Sequence, residues 1–141
     1  MKTKLVMGAG IAFLSNNSVL LCERTDGQGW CFPGGKVEKG ERDWQAAGRE
    51  AMEEAGLRAK KITFIGSVSS EAIIHDEMCK TLSSIFMCKD YDLTHDSLKP
   101  NDEISEFRYI PIKDVFTCGL PLFKPTISGL HLLKEALKCE S

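Results

Sequence analysis

The sequence lacks most marks of specialised chemistry. No two of its six cysteines (22, 31, 79, 88, 118 and 139) form a C-x-x-C pair. Its three histidines, His75, His95 and His131, stand far apart, without H-x-x-x-H spacing. Structural zinc needs paired ligands of those kinds, so none is expected. Positive charge is not in excess: 18 Lys and Arg against 20 Asp and Glu give a net charge of −2 and a pI of about 5.9. That argues against a nucleic-acid polymer as the main partner. The N-terminal apolar run, residues 5–14, is interrupted by Gly8 and Gly10. It is too short for a bilayer, which takes about 20 residues, and does not read as a signal peptide. A reducing cytoplasm is the expectation, with free thiols acting mostly as small core hydrophobes.

What is present is ordinary for a globular protein: 141 residues, 43% hydrophobic and 27% charged. One domain, 1–141, is expected, with no repeat or linker. Residues 5–14 read as a buried strand, and 15–18 (SNNS) as a turn into a second strand at 19–24. Pro33 should end regular pairing, and Gly34 and Gly35 should permit turns closed to other residues. Further strands are expected at 60–69, with an irregularity at Gly66, at 79–89 and at 106–112. Residues 90–102 read as a loop and 113–116 as a short helical turn. Ile127, Leu130, Leu133 and Leu137 give residues 126–137 the spacing of an amphipathic helix. Strands and helices in this order allow a mixed sheet covered on both faces.

The chemistry lies in residues 34–57, GGKVEKGERDWQAAGREAMEEAGL. The run after the glycines has the length of a helix, with Asp43 as its expected N-cap and Gly56 as its C-cap. Ala47, Ala51 and Ala55 form a stripe of small residues that would let the helix approach a sheet closely. Gly48, at about 1 kcal/mol against alanine, hints at close packing. Residues three and four apart share a helix face, so Glu53 and Glu54 both lie beside Glu50. Like charges at that spacing repel by on the order of 3 kcal/mol at an effective dielectric of about 20, before solvent screening. A hard cation such as Mg²⁺ or Mn²⁺, which prefers carboxylate, carbonyl and water oxygens, reverses the sign. An acidic helix face is ordinarily only solvated. Here Gly35, five residues, Glu41, seven residues, Arg49-Glu50, two residues, Glu53-Glu54, one residue, Gly56 and Leu57 combine into one pattern. On that pattern, the Nudix box, the chain resembles the Nudix hydrolase family, with the MutT-like branch favoured by its short length. Ala51 departs softly, where a larger aliphatic residue is usual.

The resemblance implies an α/β/α sandwich, with a mixed β-sheet between helices. It also implies Mg²⁺- or Mn²⁺-dependent hydrolysis of a nucleoside diphosphate linked to a further group. A metal-bound water attacks phosphorus while a carboxylate takes the proton. By the resemblance Glu50, Glu53 and Glu54 bind metal or act on the water, and Glu53 is favoured as the base. The Gly35 carbonyl is a further ligand. Arg49 and Glu41 form an orienting pair, with Glu41 and the glycines Gly34 and Gly56 structural. Glu103 is the expected carboxylate from outside the box, with Asp102 and Glu106 as competitors. Arg24 and Lys36 are candidate phosphate contacts, or simply surface charges. Trp30 and Phe32 are candidate base-stacking rings, or simply core. Residues 121–125 (PLFKP) hold no side-chain amide to read an oxidised purine, although Asn101 or Gln28 could substitute. A nucleoside triphosphate cleaved to monophosphate and pyrophosphate is the expected substrate. The alternatives are ADP-ribose, a nucleotide sugar, a dinucleoside polyphosphate or capped RNA, or a nucleotide-sensing module without turnover. A homodimer is open.

Overall fold

A computed structural model describes residues 3–140. The elements are β1 (Lys4–Ser15), β2 (Ser18–Arg24), β3 (Trp30–Cys31), β4 (Gly34–Lys36), α1 (Asp43–Ala55), β5 (Leu57–Ile74), β6 (Glu77–Leu93), β7 (Ile104–Pro111) and α2 (Lys124–Glu140). A short 3-10 turn, Ile112–Asp114, follows β7. β1 is the hub. It runs parallel to β6 from Lys4↔Cys79 to Phe13↔Cys88, and antiparallel to β4 through Gly8, Ala9 and Gly10. It meets β2 only at its end, Leu14↔Val19 and Ser15↔Ser18. β2 carries β3 and β7, while β5 pairs antiparallel with β6. The sheet is therefore mixed, as expected.

Alternation along β1 builds two cores. Ile11 and Phe13 are fully buried with Ala46, Ala47, Ala51 and Ala55 of α1. Ala12 and Leu14 face the other way, toward Leu130 and Leu133 of α2. The two faces follow from the period of two in a strand, and each fully buried leucine contributes roughly 1.5–3 kcal/mol. The result is a helix on either side of a mixed sheet.

The turns obey residue chemistry. Asn16 (φ 48°) and Asn17 (φ 63°) close the β1–β2 hairpin in the left-handed region, which a two-residue hairpin loop of this type demands. His75 (φ 49°) and Asp76 (φ 63°) do the same for β5–β6. Ladder register shifts between Phe64 and Gly66 mark the expected irregularity.

Several expectations are corrected. Residues 90–93 belong to β6 rather than to a loop, because Leu57–Lys61 supplies their ladder partners. α2 begins at Lys124, with Pro125 in its first turn, where a missing N–H costs nothing. Ile112 leaves the late strand for the 3-10 turn, which ends at Asp114. The N-cap of α1 is Arg42, whose N–H donates to Gln45 Oε1 at 2.9 Å; Asp43 is the first helical residue. Neither Gly34 nor Gly35 has positive φ; both lie in a strand. Gly48 marks no close packing, since a Cβ there meets nothing within 4 Å. Among the described residues no helix is long and apolar enough to cross a membrane.

Gly48→Ala should therefore stabilise the protein by about 1 kcal/mol. Gly56 has φ 65°, and a Cβ there would lie 2.6 Å from the Asp96 carbonyl oxygen. Gly56→Ala should cost about 1–3 kcal/mol. Urea midpoints at unchanged slope check both.

Candidate active site

Glu50 and Glu54 stand one turn apart on α1. Glu103 reaches the same point from the segment entering β7. One carboxylate oxygen from each lies within 4.8 Å of the other two. Glu54 is 9% exposed, and its Oε1 accepts the Gly34 N–H at 2.9 Å. Glu53 is not in this group. Its side chain is 59% exposed and reaches back to Arg49 Nη1 at 3.2 Å. The helix therefore supplies two of the converging carboxylates rather than three, because Glu53 is turned to the solvent flank.

Arg49 holds the array. Its Nε and Nη2 donate to the two Glu41 oxygens at 2.8 and 3.0 Å. Its Nη1 donates to Glu50 at 2.9 Å, and Nη2 also reaches the Lys36 carbonyl oxygen at 3.1 Å. The two-pronged bond with Glu41 fixes the guanidinium plane, and the plane then fixes Glu50. The Arg49 bond holds the Glu41 carboxyl down at about 2, helped by the Glu38 N–H. Burial pushes Glu50 up, against the pull of Arg49. Burial also pushes Glu54 well above the usual carboxylate range, and Glu103 and Glu50 add to the rise against the Gly34 bond. In the absence of a cation these surroundings favour the protonated form of Glu54.

The glycines of the box answer to space. A Cβ on Gly34 would stand 2.3 Å from the Ala9 carbonyl oxygen, and one on Gly35 2.6 Å from Glu50 Cδ. Gly34 lets β4 lie flush on β1, and Gly35 leaves room for the Glu50 carboxylate.

Asn101 serves the backbone rather than a base. Its Nδ2 donates to the Glu54 carbonyl oxygen at 2.8 Å. Its Oδ1 accepts the N–H groups of Glu103 and Ile104 at 2.9 and 3.0 Å. One amide thus ties α1 to the turn that presents Glu103. An asparagine two and three residues before its N–H partners is a recognisable turn signal, although its bond to α1 is not. Asp102 gives its carbonyl to the Thr25 hydroxyl at 2.8 Å, and Glu106 pairs with Arg108.

A cleft of about 800 Å³ runs from the carboxylates across β4 to the α2 face of the sheet. Arg24, Lys36 and Phe32 line it. Arg24 is already bound to Asp26 at 2.6 Å and lies over the Phe123 ring at 4.1 Å. Phe32 is 5% exposed and contributes floor rather than an open face. Trp30 does not offer a stacking surface: it is 3% exposed, between β2 and a bridge to Leu122, with Arg108 over its ring.

Fold and cluster define an α/β sandwich with an all-carboxylate candidate cation site at one end of a cleft. A family model for the NUDIX domain matches residues 4–128, and the chain belongs to that family. It is similar to the 8-oxo-dGTP diphosphatase of Proteus vulgaris, at 35% identity over 74 residues, 50% of this chain and 66% of that protein. It is also similar to Nudix hydrolase 6 of Arabidopsis thaliana, at 26% identity over 117 residues, 79% of this chain and 40% of that protein. Each match spans less than two thirds of the curated relative. Among solved structures, the MutT NUDIX hydrolase from Burkholderia pseudomallei has a TM-score of 0.77 at 22% identity, covering 92% of this chain and 98% of its own. A structure described as an ADP compounds hydrolase has a TM-score of 0.73 at 21% identity, covering 96% of this chain and 74% of its own.

The raised Glu54 fixes a sign. Folded Glu54 holds its proton more tightly than the unfolded chain, whose ordinary value is 4.5. Its contribution to stability is full below that value and is lost as pH rises through the folded value. Glu41 acts oppositely, but between about 2 and 4.5. In chelator, thermal stability should therefore fall as pH rises from 5 to 8, and Glu54→Gln should flatten the fall. A melting series checks both.

Proposed function

We propose that the chain is a Mg²⁺- or Mn²⁺-dependent hydrolase that cleaves a nucleoside triphosphate to the monophosphate and pyrophosphate. The observation that carries this reading is the convergence of Glu50, Glu54 and Glu103 within 4.8 Å at one end of the cleft. Converging carboxylates with an all-oxygen donor set suit a hard divalent cation. Glu50, Glu54 and Glu103 would hold it, with the Gly35 carbonyl beside them. Bound there, such an ion neutralises phosphate oxygens and lowers the pKa of a coordinated water.

The remaining work falls to the chain. Gly34 N–H orients Glu54. Arg49 orients Glu50 and partly offsets the negative charge. Glu53, exposed at the cleft and outside the cluster, is the proton acceptor in this reading. Arg24 and Lys36 face the cleft with positive charge for the phosphate chain. The six free cysteines suit a reducing cytoplasm.

The similarity to an 8-oxo-dGTP diphosphatase supports a triphosphate substrate. Specificity for an oxidised guanine has less support. Asn101 is occupied by Glu54 and Glu103. The Gln28 amide donates to the Ile73 carbonyl oxygen at 2.7 Å and accepts its N–H at 2.8 Å. Neither amide is free to read a base. Neighbours of the same fold include an Ap4A hydrolase from C. elegans at a TM-score of 0.65, so the fold does not choose between triphosphates and other nucleoside diphosphate derivatives.

Turnover of a panel with and without Mg²⁺ or Mn²⁺ tests the reading. The panel holds canonical and oxidised triphosphates, ADP-ribose, nucleotide sugars, dinucleoside polyphosphates and capped RNA. The expected result is metal-dependent release of pyrophosphate from triphosphates, lowered at least about 100-fold in Glu54→Gln and in Glu103→Gln. Turnover confined to another class would move the substrate. A folded, metal-binding protein with no turnover would make it a sensing module.

A further inference from the structure

Along β6 from the carboxylate rung, two hydroxyls line the cleft. Thr81 lines it and is 7% exposed, and its Oγ1 meets no hydrogen-bond partner among the described residues. It is the one such buried side-chain atom among them. Ser83, two residues on along β6, lies on the same face and also lines the cleft. Its Oγ stands 2.9 Å from where a Cβ of Gly8 would be, so the glycine leaves that hydroxyl its space.

Apolar side chains share the cleft with polar ones, Lys36 and Thr126 among them. Val6 and Ala72 line the cleft beside Thr81, and Ile85 and Phe32 line it nearer the carboxylates. Val6 is the ladder partner of Thr81, and Gly10 that of Ile85. Gly10 also pairs with Gly34, whose N–H holds Glu54. From that rung to Thr81 is four strand residues, roughly 13 Å. This is the reach from the phosphates of an extended nucleotide to the far edge of its base. A slot with apolar walls and two hydroxyls suits a flat heteroaromatic ring with a polar rim.

We propose that Thr81 and Ser83 form a specificity-determining hydroxyl pair that hydrogen-bonds the polar edge of the substrate's nucleobase. The proposal rests on the nucleotide reading of the site. A buried hydroxyl without a partner is costly in the free protein, so its retention calls for a partner that comes and goes. A hydroxyl both donates and accepts. The pair therefore holds a base edge without demanding one arrangement of keto and amino groups, unlike a fixed amide.

The test compares wild type, Thr81→Val, Thr81→Ser and Ser83→Ala with dGTP, ATP and tripolyphosphate, which has no base. Thr81→Val should shrink the advantage of either nucleotide over tripolyphosphate about tenfold, through KM rather than kcat. Thr81→Ser should restore it to within about twofold. Thr81→Val should also raise the melting temperature by roughly 2–4 °C, because the partnerless hydroxyl is gone. Equal weakening toward tripolyphosphate, no change toward any ligand, or a lower melting temperature in Thr81→Val would each overturn the pair. If wild type turns nothing over, the hydrolase reading fails. Calorimetric binding of the same three ligands with Mg²⁺ then decides the hydroxyl pair separately.

Discussion

The structure depends on keeping mutually repelling carboxylates together. Glu54 is buried, Glu50 is partly so, and Glu103 arrives from 49 residues further along the chain than Glu54. Left to themselves, these groups would move apart or hold protons. Geometry prevents the first. Gly34 N–H fixes Glu54 from the sheet side. Arg49 fixes Glu50 from the solvent side and is itself clamped by both oxygens of Glu41. The guanidinium lowers the cost of the array without neutralising it, because it faces Glu41, Glu50 and Glu53 but not Glu54. Glu54 is left for a cation to hold, in place of its proton.

The sheet makes that arrangement possible by bringing backbones unusually close. β4 is three residues long, yet it sets both box glycines against β1 and α1. Any side chain at Gly34 would push β4 off β1 and carry the N–H away from Glu54. The helix end is secured separately: the Thr94 and Ser97 hydroxyls donate to the Gly56 carbonyl oxygen at 2.8 and 2.7 Å, and Leu98 N–H to that of Ala55 at 2.9 Å. The segment that caps α1 thus runs directly into Asn101 and Glu103.

This division explains what could be read from the sequence. The box was legible because its information is local: helix spacing sets Glu50 beside Glu54, and Gly56 ends the helix in the left-handed region. The alanine stripe was legible for the same reason. The turn of Glu53 away from the cluster was not, since it depends on which flank of α1 meets the sheet. Gly48 and Trp30 needed the packing to settle them. Gly48 looked like a packing requirement and sits beside open space, whereas Trp30 read as a stacking ring or as core, and its bridge to Leu122, 92 residues away in sequence, makes it core. Residues 90–93 looked like loop because their polarity says nothing of the partner strand at residues 57–61.

The two ends of the cleft follow different physics. At the carboxylate end, charge dominates and the chain tolerates little change in position, so its residues lie in a recognisable pattern. At the far end, discrimination rests on a few neutral groups, and such groups leave no pattern in a single sequence. Gln28 shows why composition misleads there. Its amide satisfies both backbone groups of Ile73. Turning it to a ligand would give up both of those bonds. An amide near a cleft is therefore no evidence of a reader until its existing partners are counted. A hydroxyl with no partner to lose, such as that of Thr81, can bond a ligand without giving up a bond it already has.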